Sequence, residues 1–158
     1  MNDPPRQPAR AGIPRPVASL ALLYAGILIG VSFIATPAKF LARSITLAQA
    51  LDVGRWTFGI FGWVELGLVA GLLMLGLRSR SVRVLWPILA VLALVALQAL
   101  FLRPMLDARL AEILSGGEPP PSQLHNVYGV VEVGKLAVLL WIGWARPPKP
   151  ATRSTSAS

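Results

Sequence analysis

Two glutamates carry the chemistry this chain has to offer. Glu65 sits in the apolar run FGIFGWVELGLVAGLL, and Glu132 in HNVYGVVEVGKLAVLL. Lys135 follows Glu132 by three residues, the spacing at which side chains meet on one face of a helix. His125, Tyr128, Glu132 and Lys135 are spaced by three, four and three. At ~100° per residue they share a stripe ~80° wide on one helix. Two carboxylates and one ammonium cannot all be charged without a net charge, so one proton is expected to be shared or exchangeable. That is the chemistry of a proton relay or a small-cation site. The same residues also suit a structural role, in which Glu132 and Lys135 neutralise each other and a protonated Glu65 bonds a neighbouring helix. Gln98 is the expected hydrogen-bond partner from a third segment. Tyr128 is expected to pack, with its hydroxyl on the polar stripe. His125 is expected at a membrane interface.

The elements that must hold these groups are long and apolar. Of the 158 residues, 54% are hydrophobic and 14% charged, where soluble domains carry about 25% charged residues. Mean hydropathy is +0.62. Four runs reach the roughly 20 residues a bilayer crossing needs: 17–37, 56–77, 84–102 and 124–144. Helix is the expected form, because an isolated strand leaves its backbone unsatisfied in lipid. The first run is too long for a signal-peptide core and reads as an uncleaved anchor. Glu65 lies nine residues beyond Trp56, roughly 13 Å at ~1.5 Å per residue. That is near the midplane of a ~30 Å core, where a carboxylate must face the bundle interior or water.

The net charge of +8 does not indicate nucleic acid, because the basic residues flank the apolar runs. Arg6, Arg10, Arg15, Arg78, Arg80, Arg83, Arg146, Lys149 and Arg153 fall on one side of a four-span layout. Lys39, Arg43, Arg55, Arg103 and Arg109 fall on the other. The positive-inside rule places the larger set, with both termini, in the cytoplasm of a bacterial cell. Trp56, Trp86, Trp141 and Trp144 lie near expected interfaces. The tails 1–16 and 145–158 are rich in proline and basic residues and are expected to be disordered.

An internal duplication is expected. With an offset of 67, Gly62, Val64, Glu65, Gly67, Ala70, Leu72 and Leu73 match Gly129, Val131, Glu132, Gly134, Ala137, Leu139 and Leu140. Pro37 matches Pro104. The expected fold is therefore an all-α membrane protein, a four-transmembrane-helix bundle made of two parallel helical-hairpin repeats, 17–77 and 84–144. Each repeat is expected to carry an amphipathic segment on the membrane surface after its proline, at 38–55 and 105–123. Gly26 with Gly30, and Gly67 with Gly71, have GxxxG spacing and are expected at close helix contacts.

Cysteine is absent and only one histidine is present, which excludes thiol nucleophiles and clustered metal ligands of those types. No phosphate-binding glycine motif occurs. No metal or cofactor is expected. The lipid bilayer is the expected partner, with a homo-oligomer or a larger membrane complex as further possibilities. The end of the first run, GVSFIATPAKF at 30–40, and the His125-led fourth run resemble bacterial four-helix membrane proteins related to the transmembrane-protein-205-like group. The resemblance covers about 20–144 and implies a four-helix membrane fold. It implies no activity, and the chain departs from the group in its central Glu and Lys residues. The expected function is proton or small-cation transfer at the Glu/Lys site. The alternatives are an assembly subunit without transport, and a lipid- or quinone-linked enzyme.

Overall fold

The computed structural model describes residues 12–145, and every regular element among them is helical. The expectation for the tails falls almost wholly on residues 1–11 and 146–158, outside the described part. Four helices are long and apolar enough to cross a membrane: α1 (Arg15–Leu41), α2 (Leu47–Ser79), α3 (Val82–Leu114) and α4 (Leu124–Trp144). They alternate in direction. One end of the bundle carries the start of α1, the α2–α3 turn and the end of α4. The other carries the connections 42–46 and 115–123. These are called the termini end and the loop end below.

Two helices are longer than their apolar runs. The segments expected to lie as separate surface helices are instead continuous with the spans. Residues 47–55 are the first turns of α2, and Arg103–Leu114 are the last turns of α3. At ~1.5 Å per residue, 33 residues extend ~50 Å, well beyond a ~30 Å hydrocarbon core. The start of α2 is set by a capping box. The Thr46 side chain accepts from Gln49 N at 3.3 Å, and Thr46 N donates to Gln49 Oε1 at 2.7 Å. The T-L-A-Q sequence carries that signal nine residues ahead of the apolar run. Thr46→Ala should lower stability by about 0.5–2 kcal/mol. Denaturant unfolding of the purified chain would measure it, and an unchanged midpoint would mean the cap does not set this helix start.

Pro37 and Pro104 each follow a widened stretch of helix. Ile29–Ala35 in α1 and Gln98–Leu102 in α3 are π-helical. A proline inside a regular α-helix clashes with the carbonyl four residues back and removes one bond. The wider turn relieves that crowding. The Val31 carbonyl accepts from the Thr36 backbone N–H and from Thr36 Oγ1 at 2.8 Å. Arg103 N donates to Gln98 O in the same five-residue pattern. Each helix therefore passes its proline without ending.

The helices form a ring in which α1 packs chiefly on α4 and α2 chiefly on α3. The larger apolar core lies toward the termini end and includes Val17, Ala21, Leu28, Leu72, Ile88 and Leu139. A smaller cluster of Leu102, Tyr128 and Val131 lies toward the loop end. Large apolar side chains also cover the outside, among them Ile34, Ile60, Trp63, Leu100 and Val130. The polar residues that remain are held between the two cores.

Candidate functional site

Each helix contributes at least one polar group to a single interior cluster. Glu65 comes from α2, Gln98 from α3, and Glu132 and Lys135 from α4. The exposures are 3% for Glu65, 2% for Gln98, 2% for Glu132 and 0% for Lys135. Tyr24 and Ser32 of α1 complete the group. Helical spacing puts Glu132 and Lys135 on one face of α4, and the ring of helices turns that face inward. Only the packing of α1, α2 and α3 brings the other four to it.

Lys135 lies between the two carboxylates. Its Nζ donates to Glu132 Oε1 at 2.9 Å and also bonds Glu65 Oε1. The expectation that Lys135 serves Glu132 alone, leaving Glu65 without a cation, is corrected by this geometry. The four-carbon stem of Lys135 is long enough to place the ammonium between helices, not merely one turn along its own.

The two glutamates differ in how they are satisfied. Glu132 receives donors on both oxygens. Gln98 Nε2 reaches Oε1 at 2.8 Å, beside Lys135, and Ser32 Oγ reaches Oε2 at 3.0 Å. On Glu65 both donors fall on Oε1: Lys135 and the Tyr24 hydroxyl at 2.7 Å. Glu65 Oε2 has no donor among the described residues. Gln98 Oε1 is a buried acceptor without a partner there. Both Glu65 and Gln98 line a cavity of about 130 Å³, bounded also by Gly62, Arg103 and Tyr128. A space of that size next to orphaned acceptors can hold water.

A second cavity, about 500 Å³, lies at the loop end and shares Arg103 and Tyr128 with the first. Those two side chains thus stand between the outer space and the carboxylate. Arg103 is held in place by the Phe58 carbonyl, to which its Nη2 donates, and by Gly62. A Cβ at Gly62 would collide with the guanidinium. Tyr128 packs edge-on against Phe58, with centroids 5.3 Å apart. His125 is exposed and lines the larger cavity, away from the Glu/Lys cluster.

The structure thus brings together Glu65, Glu132, Lys135 and Gln98, sets Tyr128 at the edge of that group, and leaves His125 outside it. The GxxxG glycines behave differently from one another. Gly71 has Leu20 Cδ2 at 3.1 Å from where a Cβ would stand, whereas Gly26, Gly30 and Gly67 have nothing within 4 Å. Those three face outward or stand clear of neighbours, so they set no close approach inside this bundle. Besides the Gly62–Arg103 approach, α2 and α3 pack tightly at Gly76, where a Cβ would meet Ile88 Cδ1 at 2.7 Å.

Sequence reading missed Tyr24, Ser32 and the seat of Arg103. Tyr24 and Ser32 are neutral residues in an apolar run and give no charge signal. Arg103 sits beside Pro104, where it reads as an interface residue until α3 is seen to continue past it. Among the described residues, no His/Cys/Asp/Glu group has metal-holding geometry. No protein-family model, curated protein or solved structure matches the chain.

Proposed function

We propose that this chain spans the bacterial cytoplasmic membrane four times and transfers protons through Glu65. One observation carries the proposal. A fully buried lysine is shared by two carboxylates, and one of them, Glu65, lines a cavity and has both of its donors on a single oxygen. With both glutamates ionised the cluster has one excess negative charge in an apolar setting, which is costly. Adding one proton neutralises it. Glu132 is bonded on both oxygens and has little room for that proton. Glu65 Oε2 has no donor among the described residues and Glu65 lines the cavity, which makes it the place for that proton.

The route toward Glu65 runs from the loop end, through the larger cavity and past Arg103 and Tyr128. Lys39, Arg55, Arg103 and Arg109 line that route against one carboxylate, Asp107. Such a field opposes any monovalent cation, proton or metal ion alike, so the choice of a proton rests on the single proton that neutralises the Glu/Lys cluster and not on this field. Toward the termini end the way is closed by packed apolar residues such as Leu28, Leu72 and Leu139. Net transfer therefore requires a second arrangement of the bundle, open on that side. Two features support its being built from two parallel hairpin repeats. Pro37 and Pro104 each follow a π-helical stretch. The α1–α4 and α2–α3 pairs would exchange under a two-fold along the membrane normal.

Reconstitution into liposomes with an entrapped pH-sensitive dye tests the function. An imposed pH gradient should collapse faster than in protein-free vesicles, and equal rates would remove the transport reading. The opposite outcome would favour an assembly role, since the same bonds tie all four helices together. Orientation has its own check. With the termini cytoplasmic, cysteines introduced at Ser81 and Ser115 should label from opposite sides of the membrane. Labelling of both from one side would overturn the four-span arrangement.

A further inference from the structure

The larger cavity is built in a way that proton transfer does not require. Its walls are mostly apolar, with Leu106, Leu110 and Ile113 from α3 on one side. Four cationic side chains nevertheless border it. Asp107 is the one carboxylate lining it among the described residues, and that group faces Arg55 at 3.9 Å. Arg109 donates to Pro120 O at 2.6 Å. Lys39 and Arg103 are half-buried and have no carboxylate partner among the described residues. Half-buried cations in an apolar wall are costly unless an anion meets them.

The two unpaired cations are positioned, not merely present. Gly54, Phe58 and Gly62 fall four residues apart along one stripe of α2. The Lys39 ammonium occupies the space where a Cβ of Gly54 would stand, and the Arg103 guanidinium occupies the equivalent space at Gly62. Between them Lys39 Nζ lies 5.9 Å from the Phe58 ring centroid and 5.1 Å from that of Phe40. Any side chain at either glycine would push a cation off its seat. The mouth is flanked by the exposed aromatics Trp56 and Phe40. Aromatic residues of this kind favour the membrane–water boundary.

We infer that this cavity binds an anionic phospholipid, with its phosphate on Lys39 and its acyl chain along the Leu106–Leu110–Ile113 wall, while Arg103, two turns of α2 deeper, adds to the positive field of the cavity. The excess of cations selects a head with net negative charge. The apolar wall selects an attached chain over a free anion, and about 500 Å³ is within the ordinary range for a small-molecule site. The lipid site does not depend on proton transfer, because Lys39 lies outside the Glu/Lys cluster; a lipid seated there occupies the cavity on the proposed proton route, so binding and proton entry from the loop end exclude one another.

Calorimetric titration of the purified full-length chain in detergent tests this, with dioctanoyl phosphatidic acid as probe. Saturable binding is expected, at least ten-fold tighter than for dioctanoyl phosphatidylcholine, and inorganic phosphate alone should not compete. Lys39→Met should weaken binding ten-fold or more, and Lys39→Arg should largely restore it. Gly54→Ala should also weaken it, since it displaces the ammonium without removing the charge, and it remains informative if Lys39→Met fails to fold. Arg78→Met, at the termini end, should bind as the parent does. Equal affinity for the two lipids would overturn the charge selection. Competition by inorganic phosphate at similar concentration would show a site for a free anion and overturn the lipid assignment. Parent-like binding in both Lys39→Met and Gly54→Ala would overturn the location.

Discussion

Lys135→Met is expected to destabilise the protein more than any other single substitution in the bundle. It removes the ammonium that two buried carboxylates share, and no other cation among the described residues bonds either of them. Removing one partner of a buried ion pair costs about 3–5 kcal/mol, because the other charge is left unpaired in low dielectric. Here the removal leaves Glu65 and Glu132 facing each other across the vacated position, so the upper part of that range applies. Adding Glu65→Gln and Glu132→Gln to Lys135→Met should recover most of the loss, since a neutral hydrogen-bonded cluster replaces the broken ionic one. Unfolding of each variant in mixed detergent measures the series. If Lys135→Met alone unfolds like the parent, the ammonium is not what offsets the buried carboxylates.

Glu65→Gln is expected to leave the fold intact and reduce proton flux at least ten-fold. The substituted side chain keeps an oxygen for the Tyr24 hydroxyl and for Lys135. Lys135 and Glu132 then form a neutral pair, with Gln98 and Ser32 still donating to Glu132. What is lost is the unbonded carboxylate oxygen beside the small cavity, and with it the place for an added proton. Glu65→Asp should retain measurable flux, since it keeps a carboxylate near the same space. Glu132→Gln should damage stability more than Glu65→Gln, because it replaces the acceptor of three donors. A dye-based flux assay on vesicles with matched protein content separates these variants. Undiminished flux in Glu65→Gln would remove Glu65 from the path. Loss of flux with a matching loss of folded protein would show a structural role instead.

Those two residues also mark how far the sequence reaches. Helix number, approximate span and apolar character follow from runs of about 20 apolar residues, because the bilayer-crossing length is a property of one segment at a time. The inward face of α4 follows from the three-residue step between Glu132 and Lys135, again a local fact. Helix ends are also local, though they depend on smaller signals. The Thr46–Gln49 capping box set the start of α2, and it outweighed the more visible boundary at Trp56. The continuation of α3 past Pro104 depended on a π-helical stretch that hydropathy does not register.

The tertiary structure decided which groups meet. Lys135 could have remained with Glu132, its neighbour in sequence. The distance between α4 and α2 instead places the ammonium within reach of both carboxylates. Tyr24 and Ser32 join the cluster only because α1 packs on α4 and closes the ring beside α2, a contact that no spacing within α1 encodes. Interior position also separated Glu65 from Glu132. The two have matching sequence surroundings, yet one has donors on both oxygens and the other has one oxygen against a cavity. Helix periodicity places a side chain on a face. Which donors and which empty space that face meets depends on residues 34 to 100 positions away in the chain, and the packed bundle alone brings those into contact.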